Sequence, residues 1–129
     1  MPAPPAKSTI YVVDDDFGVL GSLRFMLETD GFEVRTFRSG AALLDAVIET
    51  EADCIVIDYK MPNMNGIDLA NRLRDREVGA PIVMITGYPD ESISARAAAA
   101  GVHHVVMKPH LESLVSHIRG AIQEAGSAL

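Results

Sequence analysis

Short runs of apolar residues alternate five times along the chain with stretches whose apolar positions recur at helical spacing. The runs predict strands at about residues 8–13, 33–37, 54–58, 81–86 and 102–107, with a helix in each interval. Ile10-Tyr11-Val12-Val13, Cys54-Ile55-Val56-Ile57, Ile82-Val83-Met84-Ile85 and Val105-Val106-Met107 show no polar alternation. Such runs are expected of strands buried on both faces of a parallel sheet. A strand–helix alternation kept from end to end predicts a single α/β layer structure, with helices covering a parallel sheet.

The first helix is expected to bury Val19, Leu23 and Met26 beside Leu20 and Leu27, and to stop at Gly31. The second takes Ser39 as its cap and Leu43, Leu44, Val47 and Ile48 as its apolar face. The third starts near Asn65, after the turn-forming Met61-Pro62-Asn63, and repeats Ile67, Ala70 and Leu73. A fourth, from about Asp90 to Ala100, is alanine-rich with Ile93 as its only large apolar residue, which makes it the least anchored. The fifth carries Leu111, Leu114, Val115, Ile118 and Ile122.

In an open α/β sheet ligands bind beyond the carboxyl ends of the strands. Here those ends carry Asp14-Asp15 after the first strand, Asp58 after the third, Thr86-Gly87 after the fourth and Lys108-Pro109 after the fifth. Carboxylates, a hydroxyl and a lysine form a set suited to a magnesium ion and a phosphoryl group. Each residue alone has a plainer reading. Asp14-Asp15-Asp16 makes a solvated turn with Asp16 as helix cap, Thr86 is an ordinary β-branched strand residue, and Lys108-Pro109 is a surface turn. Brought to one edge, they read as a site: carboxylates crowded there cost stability without a cation, and Asp58 at the mouth of an apolar run is placed as a carboxylate nucleophile. His103 and His104 are adjacent on a strand and so point to opposite faces, and His110 and His117 stand at no metal-binding spacing. The histidines therefore read as solvent-facing or partly packed.

At 129 residues the chain is large enough for one domain and too short for two. It is 48% hydrophobic and 22% charged, with apolar runs far shorter than a membrane span. The net charge of -7 argues against direct nucleic-acid binding, which depends on cationic side chains neutralising phosphates. The one cysteine, Cys54, lies in an apolar run as a small buried hydrophobe and is compatible with a cytoplasmic location. The proline-rich start lacks the pattern of a signal peptide. Residues 1–7 are thus expected to be a tail, 8–125 the domain and 126–129 a second short tail.

The ordered set Val12-Val13-Asp14-Asp15, Asp58-Tyr59-Lys60-Met61-Pro62-Asn63-Met64-Asn65-Gly66, Thr86-Gly87 and Lys108-Pro109 resembles the receiver domain of two-component response regulators, of the nitrogen-fixation regulator type. The resemblance implies a doubly wound, flavodoxin-like (βα)5 sheet in the order 2-1-3-4-5. It implies that Asp58 accepts a phosphoryl group from a sensor histidine kinase, a histidine phosphotransfer protein or a small donor such as acetyl phosphate. Asp14, Asp15, Asp58 and the backbone carbonyl of Lys60 would hold Mg2+, while Thr86 and Lys108 would contact the phosphoryl oxygens. Lys108-Pro109 would be a cis peptide, and Lys60 and Tyr88 would flank the path of hydrolytic water. The chain would act as a phosphoacceptor rather than an ordinary enzyme, assisting its own phosphorylation and dephosphorylation, and it reads either as a stand-alone receiver or as one cut from a longer regulator. A partner or a second copy would dock on helix 4, strand 5 and helix 5. Two positions depart from the pattern: Val105 stands where an aromatic is usual, and His110 where a phenylalanine is common.

Two other classes share part of this pattern. A phosphatase of the haloacid-dehalogenase type would use Asp14 and Asp16 as its Asp-x-Asp pair, but leaves Asp58 and its Met-Pro loop without a role and lacks a later acidic pair. A flavodoxin-like nucleotide binder would need a glycine-rich phosphate loop after the first strand, where acidic residues stand instead.

Overall fold

The structure is a computed structural model that describes residues 7–87, 90–108 and 111–127. Its strands are β1 (Thr9–Val13), β2 (Glu33–Phe37), β3 (Cys54–Asp58), β4 (Ile82–Thr86) and β5 (His104–Met107). Between and after them run α1 (Phe17–Thr29), α2 (Gly40–Glu49), α3 (Gly66–Asp75), α4 (Glu91–Ala99) and α5 (Leu114–Ser127), the last preceded by a 3-10 turn at Leu111–Ser113. All strands pair in parallel in the order β2-β1-β3-β4-β5, as expected.

Side chains alternate across each strand and divide the core in two. Ile10, Val12, Val56, Val83, Ile85 and Val106 pack under α1 and α5, while Tyr11, Val13, Ile55, Ile57, Ile82 and Met84 pack under α2, α3 and α4. The three central strands β1, β3 and β4 are buried on both faces almost throughout. Strand β5 is not: it lies at the sheet edge, only Val106 is fully buried, and Met107 is partly exposed. Cys54 is buried in β3, where burial pushes its thiol up to about 12.

Helix ends follow the expected caps. Ser39 Oγ accepts the Ala42 amide, and Gly31 leaves α1 at φ 92 with its amide on Glu28. Asn65 and Asp68 form a reciprocal capping box at the start of α3.

The helix faces are narrower than the sequence suggests. Helix α1 buries Leu20, Leu23 and Leu27, with Val19 and Met26 only half-buried at the margins of that stripe. Ile48, expected on the buried face of α2, is 73% exposed, because Leu43, Leu44 and Val47 already fill the side turned to the sheet. In α5 the buried set is Leu114, Ile118 and Ala121, with Val115 and Ile122 partly covered. Leu111 falls in the preceding 3-10 turn, and the helix continues to Ser127, beyond the expected domain end at 125. The proposed cis peptide at Lys108-Pro109, Tyr88, His110 and the tail residues 1–6 and 128–129 lie outside the described residues.

Candidate functional site

Parallel pairing sets the heights of the strand ends. Val13 is level with Ile57, Asp58 with Ile85, and Thr86 with Met107. Asp14, Asp58, Thr86 and Lys108 therefore emerge at one edge of the sheet, where they line a cleft of about 600 Å³ with Asp15, Asp16, Lys60 and the Met61-Pro62 turn. Asp14, Asp58 and Thr86 are the buried polar residues of the described chain, in a core otherwise apolar.

The chain is routed to keep this edge open. The Tyr59 amide donates to Ile85 and the Gly66 amide to Tyr59, so the loop after Asp58 folds straight back into α3. At Gly66 an added Cβ would stand 3.0 Å from the Asp58 carbonyl oxygen and from Tyr59 Cα, so only glycine permits this approach. Asn63, at φ 69, supplies the left-handed residue of the turn.

Within the cleft Lys108 Nζ lies 2.9 Å from Asp58 Oδ1 and 3.7 Å from Asp14 Oδ2. Asp14 Oδ1 accepts the Asp16 amide at 2.9 Å, whereas its Oδ2 is buried and makes no hydrogen bond. Asp16 is turned to cap α1, accepting the Gly18 and Val19 amides. Oxygens of Asp14, Asp15 and Asp58 all lie within 4.8 Å of one another. Three carboxylates so close, one with an orphaned buried oxygen, suit a hard divalent cation with oxygen ligands.

The charge balance agrees. Burial pushes the Asp14 carboxyl up to about 6, and it raises Asp58 as well despite the opposing hydrogen bond from Lys108. Burial also works against the Lys108 ammonium, but Asp58 and then Asp14 outweigh it and hold its pKa above the ordinary value. Asp14 thus takes up its proton at a higher pH folded than unfolded, and folding is favoured as pH falls through about 6. In chelator, the melting temperature should rise between pH 7 and pH 5, as Asp14 adds about 1.3 kcal/mol of stability over that window. Lys108 is charged throughout that window and leaves the trend alone. A flat or falling melting temperature would contradict this account of Asp14.

All the side chains expected to form the site line this one cleft. Other clusters were not anticipated. Arg74, at the end of α3, donates to the carbonyls of Val78 at 2.6 Å, Ala80 at 2.9 Å and Gly101 at 2.7 Å. His104 and His117, read separately as solvent-facing or packed, meet with ring centroids 5.2 Å apart. No sequence spacing signals that contact, because it joins a strand to a helix.

Fold and cleft together define a class: a doubly wound α/β domain whose strand-end site gathers three carboxylates, a hydroxyl and a lysine, a set compatible with a phosphoryl group and a divalent cation. The family model described as "Response regulator receiver domain" matches residues 10–119, and the chain belongs to that family. It is 35% identical over 123 residues to the transcriptional regulatory protein FixJ of Bradyrhizobium diazoefficiens, covering 95% of this chain and 60% of that protein. The crystal structure of FixJ-N is similar at a TM-score of 0.82 and 31% identity, covering 97% of this chain and 98% of that one. A CheY-like receiver domain protein from Methanospirillum hungatei gives a TM-score of 0.87 at 27% identity, over 95% of this chain and 98% of that one. The chain spans about half the length of the curated relatives it matches, 45% to 60% of the first eight.

The protein is therefore a receiver with a phosphoacceptor role in two-component signalling. Receivers bind Mg2+ at an acidic pocket and work with histidine kinases or phosphotransfer proteins; they are not enzymes in the ordinary sense. The phosphatase alternative falls on the geometry too, since Asp16, its second carboxylate, is committed to capping α1. No helix among the described residues is long and apolar enough to cross a membrane.

Proposed function

We propose that Asp58 is the phosphoacceptor of this receiver, and that Asp14, Asp15 and Asp58, with the backbone carbonyl of Lys60, hold Mg2+ beside it. The observation that carries this reading is Lys108, whose ammonium pairs with Asp58 at 2.9 Å while the orphaned oxygen of Asp14 faces the same space. Bound Mg2+ would offset the repulsion between the carboxylates and a dianionic phosphoryl group.

An Asp58 carboxylate oxygen attacks the phosphorus of a phosphohistidine or of acetyl phosphate. The new P–O bond makes an acyl phosphate as the bond to the donor's nitrogen or oxygen breaks, and its electron pair leaves with the donor. Lys108 is held ready to move from the Asp58 oxygen to a phosphoryl oxygen, as a point charge. Thr86, at the end of β4, presents its hydroxyl to another. Incubation with Mg2+ and acetyl phosphate, read by intact mass, should give one phosphoryl adduct that hydroxylamine removes; no adduct under these conditions would reject the reading.

Asp15 is exposed and belongs to the carboxylate cluster. Asp15→Asn should leave the metal-free melting temperature unchanged or raised, because it relieves repulsion, while weakening Mg2+ binding severely. Unfolding of the variant in chelator would refute that role.

The signal has a route from the cleft. Thr86 lines both the acidic cleft and a groove of about 370 Å³ formed by Ile93, Ser94, Val105 and Met107 with Asp90 and Glu91. With Val105 in place of an aromatic, movement of Thr86 passes to α4 by backbone shifts rather than by a turning ring. Helix α4 buries only Ile93 and Ala97, so a bias of a few kcal/mol is enough to repopulate it. Helix α4, β5 and α5 are accordingly the face for a partner or a second copy, and at a net charge of -7 this segment acts on protein rather than on nucleic acid. Hydrogen exchange should show its largest distant change on phosphorylation at residues 87–104. Change confined to the loops around Asp58 would exclude this route.

A further inference from the structure

The starting end of β5, opposite the end that carries Lys108, holds a second group of metal-ligating side chains. His104 shares the sheet face of Val106 and so points towards α5. It meets the ring of His117 edge-on, with centroids 5.2 Å apart and planes inclined at 67°. Glu124 lies two turns further along α5, on the same stripe as His117, with its Oε2 3.7 Å from His104 Nε2.

Two details mark these rings as ligands in waiting. His117 Nδ1 lies 2.8 Å from the Ser113 carbonyl oxygen, which can only accept, so Nδ1 carries the proton and neutral His117 has its free lone pair on Nε2. A backbone carbonyl holding one ring nitrogen while the other faces a metal is the arrangement usual for ligating histidines. His104 Nε2 is buried and makes no hydrogen bond, a cost that a ligand would remove.

We propose that His104 and His117 bind a borderline divalent cation of the Zn2+ class through their Nε2 atoms, with Glu124 as an added carboxylate and water completing the shell. Imidazole nitrogens select such ions over Mg2+, which takes the all-oxygen aspartate cluster, so the two sites are chemically separate. Among the described residues only the aspartates already place three ligand atoms within 4.8 Å. Glu124, whose side chain is 60% exposed, is free to turn and close on an ion held first by the two rings. Binding would fasten the start of β5 to α5 at His117, on the face assigned above to partners.

The test is calorimetry and thermal melting with Zn2+, in excess Mg2+ to occupy the aspartates. The wild-type chain should bind one Zn2+ and melt at a higher temperature with it. His104→Gln and His117→Gln should each weaken binding by about tenfold or more, and His103→Gln should not. Melting without Zn2+ establishes that each variant folds. As a second measurement, Zn2+ should shift the imidazole NMR resonances of His104 and His117 in the wild-type chain and leave those of His103. Zn2+ binding that survives both His104→Gln and His117→Gln, absence of binding, or shifts confined to other histidines would overturn the site.

Discussion

Asp58→Asn should take no phosphoryl group from acetyl phosphate or from a phosphohistidine donor, while folding as well as the wild-type chain. The loss is expected to be complete rather than partial. Asp14 has one oxygen engaged by the Asp16 amide, Asp16 is spent on capping α1, and Asp15 is exposed without the Lys108 contact that Asp58 has. Among the described residues Asp14 is the only other buried carboxylate there, and the Lys108 ammonium stands 3.7 Å from it against 2.9 Å from Asp58, which alone is within hydrogen-bond reach. The asparagine is nearly isosteric and keeps an amide oxygen for Lys108, so the fold should persist. Burial also penalises the Asp58 charge, so the neutral amide removes an electrostatic cost in the metal-free chain. Intact mass after incubation with Mg2+ and donor gives the answer, and an adduct persisting in Asp58→Asn would move the phosphoacceptor elsewhere.

That the cleft could be read from the sequence follows from the parallel sheet. Asp14, Asp58, Thr86 and Lys108 are far apart in the chain, but each ends a run of residues that strand geometry alone brings to one edge. The central strands announce themselves because Ile55 and Val56, or Val83 and Met84, are buried on alternate faces and leave no polar position. Apolar identity says less at a margin. Val105-Val106-Met107 is as apolar as the central runs, yet β5 is an edge strand and Met107 is partly exposed. Likewise Phe17 and Phe25 are 72% and 76% exposed on α1, although both are large and apolar. Contacts between distant elements, such as His104 on His117, are set by where a helix lies on the sheet rather than by any local pattern.

Arg74 is the clearest residue of that second kind, and its removal should cause the largest loss of stability. On the sequence it is one charge in the polar stretch Asn71-Arg72-Leu73-Arg74-Asp75, with no sign of burial. Folded, its guanidinium donates to three backbone carbonyls, two in the α3–β4 connection at Val78 and Ala80 and one at Gly101 after α4. Burial lowers its pKa from the ordinary arginine range, and it remains the cation that these carbonyls require. Gly101 fits around it for two reasons: its φ of +83 favours glycine, and an added Cβ would stand 2.7 Å from Arg74 Nε. Arg74→Ala leaves three carbonyls without this partner and opens the space of a long side chain. Hydrogen bonds to charged groups contribute about 1.5–3 kcal/mol each, and water reaching the half-open site would recover part of that, so a net loss of about 3 kcal/mol is expected. For a chain of this size the melting temperature should fall by roughly 10 °C. Arg74→Lys keeps a charge but loses the planar fork that spans separate carbonyls, so it should recover only a minor part. Both variants should still accept a phosphoryl group on Asp58 well below their melting temperatures, because Arg74 does not line the acidic cleft. A melting temperature within a degree or two of wild type for Arg74→Ala would show that the α3–β4 and α4–β5 connections hold without it.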